Sequence, residues 1–157
     1  MNSERDYESL SFHDNHVHGL SIQEGKHGQG ELILDIDHIV EWLCAEGGAY
    51  SFKVAPAFLI FHEISELTIS LDYKGTSAAI TPFSIQALHR QEFSYPNGFK
   101  SFQWHIELNW PNGEISFMGQ DFSLQLRAEP AMSDGQFLTA MRRQAMLTDH
   151  KSFKADA

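Results

Sequence analysis

Phe102, Trp104, Ile106, Leu108 and Trp110 alternate with Gln103, His105, Glu107 and Asn109. In a strand successive side chains point to opposite faces, so this period of two buries one face and wets the other. A helix would scatter the same apolar groups around its circumference. Pro111-Asn112-Gly113 follows, with Ile115 and Phe117 resuming the alternation, which predicts a tight turn and an antiparallel pair. Tyr95-Pro96-Asn97-Gly98 carries the same turn chemistry upstream. Downstream, Phe122, Leu124, Leu126 and Ala128 alternate with Ser123, Gln125 and Arg127 up to Pro130. The stretch from Ala87 to Glu129 therefore reads as a four-stranded meander.

The first half is built from similar pieces. Leu20 and Ile22 precede a loop with Gly25, Gly28 and Gly30, after which Leu32, Leu34 and Ile36 alternate with Ile33, Asp35 and Asp37, giving a second hairpin. Phe58-Leu59-Ile60-Phe61 is apolar on both parities and reads as a deeply buried strand. Leu67, Ile69, Leu71 and Tyr73 alternate before a turn at Lys74-Gly75-Thr76. Between Asp37 and Glu46 the pattern fits a helix stopped by Gly47 or a continuing strand, and both stay open. From Ser133 or Asp134 as a cap, Phe137, Leu138, Met141 and Ala145 predict a short amphipathic helix over 135–147.

These pieces predict a mainly β fold, an antiparallel sandwich or partly open barrel of about eight strands with a short C-terminal helix. A hydrophobic content of 42% in 157 residues, with 12 Phe, 4 Tyr and 3 Trp, fills one core. Residues 1–147 are read as a single domain and 148–157 as a flexible tail. The balance of 11 Lys and Arg against 21 Asp and Glu, net charge −10, opposes binding to nucleic acid and anionic membranes. No apolar run approaches spanning length and the N-terminus has no secretory pattern, so a cytoplasmic location is expected. Cys44, alone in Ile39-Val40-Glu41-Trp42-Leu43-Cys44-Ala45, reads as a buried, inert thiol.

The densest candidate chemistry is Phe12-His13-Asp14-Asn15-His16-Val17-His18-Gly19, which places imidazoles and a carboxylate within reach of a divalent metal such as zinc or manganese. His16 and His18 share one strand parity, and Asp35 and Asp37 share another on the next strand. By parity His16 and His18 go with Leu20 and Ile22, whereas Asp35 and Asp37 lie opposite Leu34 and Ile36, so the two sets meet only if a bulge near Gly19 reverses one of them. The plainer alternative has the imidazoles satisfied at a strand start and the aspartates solvated or capping. His62 and Glu63 end the buried strand and are candidates for an acid/base pair with His13 or Asp14. Glu66 and Leu67 stand where H-E-x-x-H needs its second histidine, so the zincin pattern is not met, and no G-x-S-x-G elbow, phosphate loop or dinucleotide fingerprint occurs.

Asp14, His16 and His18 resemble the D-x-H-x-H signature of the amidohydrolases. That resemblance implies an eightfold βα barrel of more than about 200 residues, which this shorter, β-patterned chain does not accommodate. Over Phe12 to Pro130 the motifs FHDNHVHG, LDIDHIVEW, VAPAFLIFHEI, WHIELNWPNGEISF and FSLQLRAEP resemble a family of short bacterial proteins of unknown function. Phe12-His13-Asp14 before a strand is also loosely similar to small β-rich immunity proteins that accompany toxins. Three readings follow: a binding or interaction protein with an acidic surface, immunity-like in one form; a metal-binding module or metal-dependent hydrolase using the His13–His18 segment; or a β domain with Trp42, Trp104 or Trp110 lining a small-ligand pocket.

Overall fold

The computed structural model describes Tyr7 and residues 10–155. The described chain forms one antiparallel nine-stranded sheet followed by a helix. The strands are β1 (His16–Glu24), β2 (Gly30–Cys44), β3 (Tyr50–His62), β4 (Ser65–Asp72), β5 (Phe83–Ser94), β6 (Lys100–Trp110), β7 (Asn112–Gly119), β8 (Asp121–Leu126) and β9 (Ala131–Ser133), and the helix is α1 (Ala140–Ala155). The order across the sheet is β4-β7-β6-β5-β1-β2-β3-β8, with β9 also pairing with β3. The protein is thus mainly β, and the sheet is not closed into a barrel.

The sheet folds over on itself. In a flat sheet the four steps from β6 to β3 would span roughly 19 Å at about 4.8 Å per step. The rings of Trp104 on β6 and Phe61 on β3 instead lie 5.4 Å apart, and Phe61 and Phe117 4.7 Å apart. The core between the two halves takes Leu32, Leu34 and Ile36 from β2, Leu59 and Phe61 from β3, Trp104 and Ile106 from β6, and Phe117 and Phe122. Trp104 is 1% exposed, as its place in the best alternating strand predicts. Its indole N–H is satisfied by the Gly119 carbonyl at 2.9 Å, so the ring is buried without an orphaned donor.

Several elements differ from expectation. The predicted meander holds for β5, β6 and β7, but β8 leaves it: the chain passes through Gln120 and pairs with β3, Phe122 opposite Phe61, while β4 takes the free edge of β7. Asn112-Gly113 is not the centre of a tight turn. It opens β7 and pairs with β4, where a Cβ on Gly113 would lie 2.1 Å from the Ser70 carbonyl oxygen, so only glycine fits. At Tyr95–Gly98 the expected turn forms, with Gly98 at φ +85°. The open segment 37–46 resolves as strand: β2 runs unbroken to Cys44 opposite β3 and turns at Gly47 and Gly48. Cys44 is exposed near this hairpin tip rather than buried, because no other strand flanks β2 there.

The helix begins later and runs longer than 135–147. Thr139 is its cap, its Oγ1 accepting from the Arg142 N–H and its carbonyl from the Arg143 N–H. Ser133 instead closes a local turn onto the Gly135 N–H. The predicted stripe is mostly outside: Phe137, Met141 and Ala145 are exposed, whereas Leu138 and Arg143 are buried. Leu138 joins Ile39, Phe52 and Val54 in a small second core on the opposite face of β2 and β3, with Met146 packed against it.

Candidate functional site

Residues ahead of β1 are fixed by an apolar plug and a buried amide. Phe12 packs 5.4 Å from the His38 ring and 6.3 Å from Phe122. Asn15 is fully buried; its Nδ2 donates to His38 Nδ1 at 2.9 Å and its Oδ1 accepts from the Ile39 N–H at 3.3 Å. Burial pushes the His38 pKa down to about 4, which keeps the ring neutral and able to accept that bond. Asp14 sits at φ +62°, an uncommon conformation for a residue with a Cβ, and so turns its carboxylate towards Asn109 Nδ2 at 2.6 Å and Gln136 Nε2 at 2.8 Å. His13 donates from Nδ1 to the Gln86 carbonyl at 2.8 Å and lies 3.3 Å from the Asp14 carboxylate through Nε2.

A β-bulge decides the register question. Val17 faces Ile36 and Gly19 faces Asp35, so His18 is the extra residue and the parity of β1 reverses across it. This overturns the expectation that register keeps the histidines from the aspartates: His18 Nε2 lies 2.7 Å from Asp37 Oδ2. Asp37, 0% exposed, also accepts from the Leu138 N–H at 3.0 Å and from Arg143 Nε at 2.9 Å. Burial alone would raise the Asp37 carboxyl, but the hydrogen bonds from His18, Leu138 and Arg143 outweigh it and hold the group below its ordinary value. Burial likewise opposes the charge on Arg143, yet the Asp35 and Asp37 carboxylates hold its guanidinium above the usual value. Asp35 binds Arg143 through a short contact and Arg127 Nη1 at 3.0 Å, and the Arg127 guanidinium lies 4.0 Å over the Phe58 ring.

The proposed ligands thus assemble in part, as a carboxylate, imidazole and guanidinium network that clamps the C-terminal segment onto β2. His16 takes a separate place, 4.5 Å from the Phe137 ring, with its Nδ1 3.3 Å from the Asp14 carbonyl. Burial lowers its pKa, partly offset by that backbone bond. Among the described residues no group of three or more His, Cys, Asp or Glu is arranged to hold a metal ion. Arg127 and Arg143, which occupy the aspartates, were not singled out in the sequence; the one available signal was that buried carboxylates need cationic partners.

His62 does not pair with His13 or Asp14. Past Leu32 opposite Phe61 the register brings Glu31 beside His62, at the N-terminal end of β2 and away from Asp37 at its middle. His62 Nδ1 lies 3.0 Å from Glu31 Oε1, and Nε2 lies 2.6 Å from Ser123 Oγ on β8. Glu63 follows at φ +50° and turns the chain out of β3.

The third feature is the β2–β3 hairpin tip. β1 pairs with β2 only as far as Asp37, and β9 covers only Phe52 to Val54 of β3. Trp42, 45% exposed, therefore stands on the free edge of β2 opposite Phe52, the last residue of β3 that β9 reaches, and Tyr50, 61% exposed, lies one step further out, where neither strand is flanked. The Trp42 ring rests edge-on against Phe52 at 5.0 Å. Glu41 pairs with Lys53 at 3.1 Å one row further in. Among the described residues no helix is long and apolar enough to cross a membrane. No protein-family model matches the chain, and no curated protein matches it.

Proposed function

We propose that this chain is a binding protein whose β2–β3 arm docks on a basic protein partner. The observation that carries the reading is the exposed pair Trp42 and Tyr50 at the end of a hairpin whose β2 edge is free past Asp37 and whose β3 edge β9 covers only as far as Phe52. Large aromatic side chains are the residues that anchor protein interfaces, because they bury much area for little rotamer entropy. A net charge of −10 raises the encounter rate with a positively charged surface and disfavours nucleic acid and anionic lipid. An acidic inhibitor covering the basic site of a nuclease toxin is the immunity-like form of this reading. A cytoplasmic setting is consistent with it, since there an exposed thiol such as Cys44 stays reduced.

The test pairs capture with measurement. Immobilised wild-type chain and a Trp42→Ala, Tyr50→Ala variant are exposed to extract of the native cells, and the retained protein is purified for calorimetry at low and moderate salt. The expected partner is basic, binds the variant roughly tenfold or more weakly, and weakens with salt. An acidic partner, or equal affinity for the two chains, overturns the proposal.

A further inference from the structure

Glu31, His62 and Ser123 come from three neighbouring strands, β2, β3 and β8, and meet on the sheet face opposite the main core. Their contacts run in one line: Glu31 Oε1 to His62 Nδ1 at 3.0 Å, His62 Nε2 to Ser123 Oγ at 2.6 Å. An ionised Glu31 accepts only, so Nδ1 carries the proton and the Nε2 lone pair faces the serine hydroxyl. This is the relation of orienting carboxylate, general base and nucleophile that activates a serine, recognised by geometry and role rather than by sequence order. The three side chains line a cleft of about 410 Å³ together with Lys26, His27 and Glu63. Glu63 holds a left-handed backbone conformation at φ +50° beside the imidazole, a strain of the kind that gathers at functional sites.

We infer that Ser123 is an activated nucleophile and that the cleft accepts small, uncharged carboxylic esters. The volume lies towards the small end of ligand cavities, and the Glu63 and Asp121 carboxylates along its wall disfavour anionic substrates. In the first step Ser123 Oγ bonds to the ester carbonyl carbon while its proton passes to His62 Nε2. The tetrahedral intermediate collapses, the acyl C–O bond breaks, and the departing alcohol takes that proton. Water then attacks the acyl-serine, gives a proton to Nε2, and releases the acid as Ser123 Oγ recovers the proton. One ester and one water yield one acid and one alcohol. Lys26 is the cationic side chain in the lining of the cleft and supplies the charge that favours the oxyanion. Glu31 touches no reacting atom and is a positioning residue.

The experiment treats the intact chain with a fluorophosphonate and maps the adduct by mass spectrometry, then follows hydrolysis of p-nitrophenyl acetate over pH. One adduct per chain on Ser123 is expected. Ser123→Ala and His62→Gln should each lower the hydrolysis rate by about 100-fold or more, and Glu31→Gln should lower it while changing the pH profile. Melting temperatures of the variants separate lost chemistry from lost fold, and the wild-type adduct map stands without any variant. No adduct, an adduct elsewhere, or equal hydrolysis by folded Ser123→Ala overturns the inference.

Discussion

Replacing Arg143 by alanine probes the clamp that joins β2 to the C-terminal segment. The Asp37 carboxylate is 0% exposed and accepts from His18, the Leu138 N–H and Arg143 Nε. Losing one partner of a buried pair typically costs about 3–5 kcal/mol, because a charge is left in a poorly solvating place. The low end applies here, about 3 kcal/mol, since two donors remain on Asp37 and Arg127 remains on Asp35. For a chain of this size, at roughly 2–4 °C per kcal/mol, that is a fall of about 6–12 °C in melting temperature. The control is Lys53→Ala. Its pair with Glu41 is close to half exposed on both sides, so its loss should cost under ~0.5 kcal/mol. Urea denaturation of Arg143→Ala, Asp37→Asn and the double variant completes a cycle, in which the double should cost less than the sum of the singles. If Arg143→Ala costs no more than Lys53→Ala, or the cycle shows no coupling, the clamp is not an energetic unit.

Acid should unfold the chain through His38. A group near 6.5 when unfolded and about 4 when folded binds more protons in the unfolded state between those values, so about 3 kcal/mol of stability is present above the unfolded value and lost as pH falls towards the folded one. His16 shifts in the same direction, and Asp37, held low in the fold, adds a further loss at more acidic pH; His38→Gln should flatten the limb between pH ~4 and ~6.5 in denaturation measured against pH. Trp104→Ala should cost about 3–5 kcal/mol by leaving a cavity among Phe61, Phe117 and Phe122, whereas Glu107→Ala on the wet face should stay within ~0.5 kcal/mol. Cys44 should react with a thiol reagent in the native protein at a rate close to that in denaturant, and strong protection would show that the arm is covered in solution.

Much of the sheet was legible because alternation reports which face of a strand is dry. It reports nothing about which edge a strand joins. Phe122, Leu124 and Leu126 keep the same parity whether β8 lies beside β7 or, as found, beside β3, so the meander could be extended one strand too far without any local conflict. The segment after Asp37 was ambiguous for a related reason: Ile39, Val40 and Leu43 satisfy helical spacing, and only the presence of β3 opposite, from Val54 to Tyr50, makes the extended form the one that satisfies the backbone. The helix start is not legible from the sequence because Ser133, Asp134 and Thr139 are all competent caps, and the choice falls to a tertiary contact, the Leu138 N–H on Asp37.

The site was less legible, and one residue accounts for much of the difference. Parity arguments assume an unbroken pleat, and the bulge at His18 inverts every assignment on one side of it. Once inverted, His18 faces Asp37 rather than the main core, and the polar parity of β2 becomes a buried surface in its own right. That surface cannot be covered by an apolar stripe, since Asp35 and Asp37 would lose their hydration without replacement. It is covered by a segment bringing Arg143 and the Leu138 N–H, which explains why that segment turns Phe137, ahead of α1, and Met141, within it, outward. A clamp made of directed bonds holds the helix over one stretch of β2, where a greasy contact would let it slide along the hairpin. The same fixed position leaves Trp42 and Tyr50 exposed towards the tip, so the polar network around Asp37 also decides which part of the hairpin the helix leaves open.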